Sequence, residues 1–380
     1  MKRICFCCTI PGTFTFSTEV FRYLQERGNQ IILISSEKEK LKALAKSLGV
    51  KYYYVPFHRS ISPLADLVCI RKLIRYFRNT SPDIVVGATP KAAMVSMIAA
   101  RMADVKHRIY HVYGLPFETA KGFRRKLLSG IERFTGYCAT KVVPIGTSVK
   151  ERLLSLGIIP QYKMVQPGLL TVGGVDPQRF SPDRFISLRN ETRTHIGIPE
   201  NCKVIGFVGR LTEDKGLTDI ISIWNKTKRR DDVCLLIIGD MDERVPIPKE
   251  TCDSFFAEDR VFHIGFTDEI EKYFAVMDIF LFPSYREGFG NVNIEAQAMK
   301  IPVITYKVTG CRDAVEDNVT GYCIPFQNQD AMCARLDMLL DAPDLRDKLG
   351  FAGRQRVLAF FTRSRVSSDF IRFLTDLQNV

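Results

Sequence analysis

Val204-Ile205-Gly206-Phe207-Val208-Gly209-Arg210-Leu211-Thr212-Glu213-Asp214-Lys215-Gly216 reads as a strand that ends in glycine, turns, and leads into a helix. A turn at the carboxyl end of a strand presents free amides and the positive end of the next helix. Arg210 and Lys215 add two cations there, a combination suited to a diphosphate. A strand, a glycine and a helix with two exposed basic residues is also a common structural element, so this fragment alone leaves both readings open. It is neither G-x-x-x-x-G-K-[ST] nor G-x-G-x-x-G, which sets aside a Walker loop and the dinucleotide fingerprint of NAD-dependent dehydrogenases.

Working outward, the same rhythm repeats. Short apolar runs at 204–208, 233–239, 261–264, 279–282, 303–305 and 321–324 are strand candidates, and the first half offers 3–8, 30–34, 51–55, 83–86, 108–112 and 141–143. Between the early runs, 18–27, 37–48, 64–78 and 91–102 carry apolar residues at helical spacing. Strands alternating with helices predict an α/β fold with doubly wound parallel sheets. A chain of 380 residues accommodates two such units at about 100–200 residues per domain. The glycine-rich stretch from Pro167-Gly168 to Gly174 marks the join, giving an N-terminal domain over 1–170 and a C-terminal domain over 171–380. The last helix, about 363–377, is free in this reading to pack back on the N-terminal domain. Open α/β sheets bind ligands beyond the carboxyl ends of their strands, so two facing units predict a substrate cleft between them.

Composition narrows the class. Hydrophobic residues at 46% and charged residues at 25% exclude a disordered or fibrous chain. The most apolar stretch, Ile84 to Ala100, is broken by Pro90 and Lys91, which argues against a membrane span. Eleven scattered cysteines, without a recognisable signal segment, point to a reducing cytoplasm; Cys5, Cys7 and Cys8 have no partner set spaced as metal ligands. The net charge of +12 is unevenly spread: residues 1–170 hold 27 Lys+Arg against 10 Asp+Glu, net +17, and the remainder nets −5. The basic half is expected to face something anionic: nucleic acid, a phospholipid surface or a phosphorylated acceptor. No aromatic and basic platform of a nucleic-acid module is recognisable, so a nucleic-acid-binding protein is the weaker reading.

A second motif is Phe282-Pro283-Ser284-Tyr285-Arg286-Glu287-Gly288-Phe289-Gly290-Asn291-Val292-Asn293-Ile294-Glu295-Ala296. Glu287 falls in the turn and Glu295 one to two turns into the following helix. Two acceptor-only groups at a cleft suit a ligand rich in vicinal hydroxyls, although an acid near a helix start is also ordinary capping.

Gly209-Arg210-Leu211, Lys215-Gly216, Pro283-Ser284, Glu287-Gly288-Phe289-Gly290, the Glu287 to Glu295 spacing, Gly310 with Gly321-Tyr322, and the upstream Gly174-Val175-Asp176 with Phe180 together resemble the retaining GT-B glycosyltransferases of family 4 (group 1), of the bacterial surface-polysaccharide type. The resemblance spans nearly the whole chain. It implies two facing Rossmann-like domains, the C-terminal one binding a nucleotide sugar and the N-terminal one the acceptor. It further implies that Arg210 and Lys215 hold the donor diphosphate, Glu287 touches the donor sugar and Glu295 binds ribose hydroxyls. Amides near Phe289, Gly290 and Asn291 would face the phosphate, with Gly12 letting the backbone approach the sugar. Two cations and oriented amides stabilise a leaving diphosphate without a metal, so no cofactor is expected. Asp240-Met241-Asp242 reads as D-x-D, a metal signature of a different glycosyltransferase fold, and is not taken as a metal site here. Relatives carry histidine directly before a glycine where this chain has His111-Val112-Tyr113-Gly114. His111 is therefore an uncertain catalytic residue, and at strand period it shares a face with Tyr113, placing both on the acceptor side.

Phe123, Leu127, Ile131 and Phe134 fall on one helical face beside Arg124, Arg125, Lys126 and Arg133. Such a helix can lie on an anionic membrane, though it can equally be a solvated basic face. The resulting expectation is a hexosyl- or N-acetylhexosaminyltransferase using a UDP-linked sugar and a polyprenyl-diphosphate-linked glycan. It would work in capsule, O-antigen or exopolysaccharide synthesis, in the cytoplasm at the inner face of the membrane, without nucleic acid. A nucleotide-sugar epimerase of the same fold is the alternative.

Overall fold

Runs such as Ile31-Ile32-Leu33-Ile34 place apolar side chains on both faces at once, so they are satisfied only in a strand covered on both sides. In the computed structural model of the chain, which describes all residues except Arg59, Ile61, Leu170, 242–247 and 379–380, such strands form two six-stranded parallel sheets.

The first sheet is built in chain order from β1 (Arg3–Cys7), α1 (Thr18–Glu26), β2 (Gln30–Ser35), α2 (Lys38–Leu48), β3 (Lys51–Tyr54), α3 (Pro63–Thr80), β4 (Ile84–Ala88), α4 (Pro90–Met102), β5 (His107–Val112), α5 (Gly122–Cys138), β6 (Lys141–Pro144) and α6 (Thr147–Ser155). Its strand order is β3-β2-β1-β4-β5-β6, with Ile4 beside both Ile31 and Ile84, and Ala88 beside His111. One face packs Cys69, Leu73 and Phe77 of α3, Val95 and Met97 of α4, and Val149 and Leu153 of α6. The other packs Phe21 and Leu24 of α1 and Leu41 of α2.

The second sheet follows with α7 (Leu188–Ile196), β7 (Lys203–Val208), α8 (Leu217–Thr227), β8 (Val233–Ile238), α9 (Lys249–Phe256), β9 (Val261–Ile264), α10 (Ile270–Phe274), β10 (Ile279–Phe282), α11 (Asn291–Ala298), β11 (Val303–Tyr306), α12 (Cys311–Ala314), β12 (Gly321–Ile324), α13 (Gln329–Asp341) and α14 (Pro343–Phe360). Its order, β12-β11-β10-β7-β8-β9, reverses direction at β7 as the first sheet does at β1. A final helix, α15 (Arg363–Gln378), closes the chain.

The structure divides into Met1–Gly174 with Arg363–Val380, and Val175–Thr362. The crossing thus lies at Gly174 and Val175, a few residues past the sequence-based 170/171 boundary, of which Leu170 is outside the described residues. α15 belongs to the first unit, where Val366, Phe370, Ile371, Phe373 and Leu374 join the core that holds α1. All eleven cysteines are free, and burial pushes the Cys5 and Cys8 thiols up and that of Cys7 to about 12. Among the described residues no helix is long and apolar enough to cross a membrane.

Candidate active site

In the second unit, β7 and β10 end side by side, and their following loops lock together. Gly216, at φ +81°, starts α8; a Cβ there would lie 2.1 Å from the Pro283 carbonyl, so only glycine permits this approach. Asp214 makes the remaining ties. Its carbonyl accepts from Tyr285 N at 2.9 Å and lies 3.2 Å from Ser284 Oγ. Its carboxylate accepts from Thr212 Oγ1 at 2.6 Å and Arg286 Nη2 at 3.2 Å. Burial alone would raise this carboxyl, but the Thr212 hydrogen bond and the charges of Arg286, Lys215 and Arg210 outweigh it and hold it below its ordinary value.

This arrangement brings Lys215 onto Glu287. Lys215 Nζ donates to Glu287 Oε1, and Ser284 Oγ, fully buried, lies 2.9 Å from the same oxygen. Gly310, at φ +83°, passes so close that a Cβ would stand 2.8 Å from the Glu287 carbonyl. Glu295 sits on α11 near Arg179, whose guanidinium is held above its ordinary value first by its hydrogen bond to Glu271 and further by the Glu295 charge. Arg179 bonds Glu271 Oε2 at 2.8 Å through Nη2. Phe289 is buried against Phe361, 5.2 Å between ring centroids, so the main chain of Phe289, Gly290 and Asn291 forms the turn into α11.

Beside these loops, at the carboxyl ends of β7, β8 and β9, lies a cavity of about 830 Å³ lined by Arg179, Arg210, Asp240, Phe266, Thr267 and Asp268 among others. Asp240 is engaged: its Oδ1 accepts from Phe266 N at 2.8 Å. Its sequence partner in the D-x-D reading, Asp242, lies outside the described residues.

Sequence reasoning overlooked Arg179, Asp214, Arg286 and Asn293. The first three are tied to partners far along the chain, Arg179 to Glu271 and Asp214 to Arg286, with Asp214 bonding the nearby Thr212 as well. Asn293 is fully buried with neither its Oδ1 nor its Nδ2 paired. Its spacing from Glu295, with both on α11, was the one signal available.

In the first unit, Gly12 is exposed in the turn Pro11–Ser17, and a Cβ there would meet nothing within 4 Å, so the fold itself does not require glycine. His111 lies near the end of β5, in surroundings set by α15. It does share a face with Tyr113, ring centroids 4.7 Å apart, but Phe370 of α15 stacks on it at 4.7 Å and covers that face. His111 is 7% exposed, its Nε2 has no partner, and burial pulls its pKa down to about 3. Tyr113 is half-buried beside it. Phe123, Arg124, Arg125, Lys126, Leu127 and Arg133 of α5 are all exposed.

Two parallel doubly wound sheets, the second with a cationic loop after its first strand and a Pro-Ser and Glu-x7-Glu loop after its fourth, define the GT-B class of glycosyltransferases. The chain belongs to that class: its residues 189–356 match the family model for glycosyl transferases group 1, and residues 12–168 match that for the glycosyl transferase 4-like domain. It is 30% identical to the capsular polysaccharide biosynthesis glycosyltransferase CapM of Staphylococcus aureus, over 94% of this chain and 92% of CapM. It is 25% identical to the UDP-Gal:α-D-GlcNAc-diphosphoundecaprenol α-1,3-galactosyltransferase of Escherichia coli, over 87% of this chain and 85% of that protein. The fold matches Anabaena HepE, crystallised with UDP and glucose, at a TM-score of 0.79 and 17% identity, covering 99% of this chain and all of the other.

Proposed function

We propose that this glycosyltransferase moves a hexosyl or N-acetylhexosaminyl group from a UDP-linked donor to a polyprenyl-diphosphate-linked glycan, with retention of anomeric configuration, in capsule, O-antigen or exopolysaccharide synthesis. The observation that carries this reading is the Lys215–Glu287 pair, joining the loops after β7 and β10, with Arg210 in the lining of the 830 Å³ cavity at the strand ends of the same sheet. Breaking the bond between the sugar and the diphosphate leaves the electron pair on a phosphate oxygen. In this reading Arg210, Lys215 and the amides entering α11 stabilise that charge as it grows, in place of a divalent metal. Retention requires the new bond to form on the sugar face that the diphosphate leaves. The acceptor class is supported by the CapM and galactosyltransferase relatives, whose names specify capsule synthesis and a diphosphoundecaprenol acceptor.

The protein works in the cytoplasm at the inner face of the membrane. The exposed face of α5, Phe123 and Leu127 flanked by Arg124, Arg125, Lys126 and Arg133, docks on anionic lipid. Electrostatic docking weakens with salt, because the Debye length falls from about 10 Å at 0.1 M to about 3 Å at 1 M.

The test is a panel of nucleotide sugars incubated with the enzyme and a synthetic polyprenyl-diphosphate-linked acceptor, followed by product isolation and NMR assignment of the new anomeric centre. One donor is expected to turn over to an α-linked product from an α-linked donor, with EDTA leaving the rate unchanged. Conversion of a UDP-sugar in the absence of acceptor would establish the epimerase instead. Loss of activity in EDTA, restored by Mn²⁺, would overturn metal independence.

A further inference from the structure

The helical layer of α3, α4 and α5 contains two carboxylates, Asp66 and Glu132, and both are buried. Asp66 receives Lys91 Nζ at 2.8 and 2.6 Å on its two oxygens, which clamps α3 on α4. Glu132 accepts from the Tyr110 hydroxyl beneath α5. The outer surface of these helices is therefore left with cations and apolar groups.

The apolar groups are ordered. On α3, the exposed Leu64, Leu67 and Val68 lead at three- and four-residue steps into Arg71 and Arg75, so all five share one face. On α5, Phe123, Leu127, Phe134 and Tyr137 are exposed along one face in the same way. After Met1, Leu64 at 81% and Phe123 at 80% are the most exposed large apolar side chains among the described residues. Both stand in the first turn of a helix.

Topology places those two turns at the same edge. α3 follows β3 and α5 follows β5, and in a parallel sheet each connecting helix begins at the carboxyl ends of the strands. α4 packs between them, so the first turns stand roughly 20 Å apart, at about 8–10 Å per helix contact. An apolar tip on each of two helices, over a surface with a single sign of charge, is complementary to an anionic bilayer: headgroups take the arginines and the acyl boundary takes the tips.

We infer that α3 is a second membrane anchor, its Leu64, Leu67 and Val68 inserting alongside Phe123 and Leu127 of α5. This deepens, and rests on, the proposal that α5 docks on the membrane. One anchor leaves the unit free to pivot, whereas two fix its tilt. The carboxyl ends of the first sheet's strands are then held next to the headgroups, where a lipid-linked diphosphate acceptor is presented.

The single tryptophan, Trp224, is buried at 2% exposure, so an added indole reports on its own site. Leu64→Trp and Phe123→Trp are each mixed with vesicles of equal parts phosphatidylglycerol and phosphatidylcholine. Both are expected to shift to the blue and to be quenched by brominated lipid, and neither should respond to pure phosphatidylcholine. In sedimentation, Leu64→Gln with Val68→Gln is expected to weaken vesicle affinity by about tenfold or more, as loss of buried apolar area requires. A response at Phe123→Trp without one at Leu64→Trp, with sedimentation of the double variant unchanged, overturns the α3 anchor and leaves α5 docking in place. Silence at both positions, with no sedimentation of the unaltered protein, overturns both. Circular dichroism checks that the variants fold; if the double Gln variant does not, the two indole reporters decide.

Discussion

The Glu287 carboxylate meets two donors inside the protein, Lys215 Nζ and Ser284 Oγ, at a site where a sugar hydroxyl is proposed to bind. Removing Glu287 therefore also frees Lys215, and the two act as a unit. Lys215→Ala and Glu287→Ala are each expected to lower kcat by more than about tenfold, roughly 1.4 kcal/mol of transition-state stabilisation. The double variant should lose little beyond the worse single, because contacting residues couple by about 0.5–3 kcal/mol. Steady-state kinetics on the four proteins decides this, and a double loss equal to the product of the singles would separate their roles. Glu295 faces Arg179 and is proposed to hold a ribose that does not react. Glu295→Ala should raise the donor KM and leave kcat nearly intact, since uniform binding does not speed the chemical step. A kcat loss matching that of Glu287→Ala would move Glu295 into the reacting centre.

Two buried ionisable groups decide how β5 carries its covering helices, and they pull in opposite directions with pH. Burial raises Glu132 of α5 from an ordinary 4.5 to about 7, against the lowering effect of the Tyr110 hydroxyl. The folded state thus binds more protons than the unfolded one between those values, and this group's contribution to stability falls as pH rises from about 4.5 through 7. His111 has the opposite sign. Burial drops it from 6.5 to about 3, so the unfolded state binds the extra proton and stability is lost as pH falls below 6.5. Glu132→Gln keeps a partner for Tyr110 and removes the first effect. Its melting temperature, relative to the unaltered protein, should rise at pH 8 and lose that advantage by pH 5, leaving the acid sensitivity of His111 exposed. An identical shift at both pH values would mean that Glu132 does not titrate in this range. The elements themselves were legible in the sequence: the strand candidates coincide with β1–β12 to within two residues, because the central strands, such as β2, β4 and β8, are doubly covered and read as unbroken apolar runs, while the edge strand β3 is only half-covered. Partners were not. The face shared by His111 and Tyr113 follows from strand period, but that Phe370 covers it depends on a helix arriving from the far end of the chain. Lys215 and Glu287 were both singled out, yet their pairing spans 72 residues and no local spacing encodes it.

At the scale of the whole chain, the polypeptide leaves the first unit at Gly174, builds the second, and returns at Arg363. The two crossing points lie together: Val175 N donates to Phe361 O at 2.8 Å, and Val175 bridges Thr362. The first unit carries 30 Lys+Arg against 12 Asp+Glu when α15 is counted with it, so the helix adds to the basic unit and the remainder is acidic. The second unit is in this sense an insertion ahead of the last helix of the first. α15 supplies Val366, Phe370, Ile371, Phe373 and Leu374 to the core that also holds α1 and the β1 side chains Ile4 and Phe6. Each such side chain contributes about 1.5–3 kcal/mol when fully buried, and the loss of five is comparable with the whole stability of a domain, about 5–15 kcal/mol. A chain ending at Thr362 should therefore lose the first unit selectively. Hydrogen exchange is the measurement: amides of β1, β2 and β4 should lose protection, while those of β7, β8 and β10, whose core does not use α15, should keep it. Equal loss in both sheets would show that the two units unfold as one, and undiminished protection of β1 would show that α1 and the sheet hold without their terminal helix.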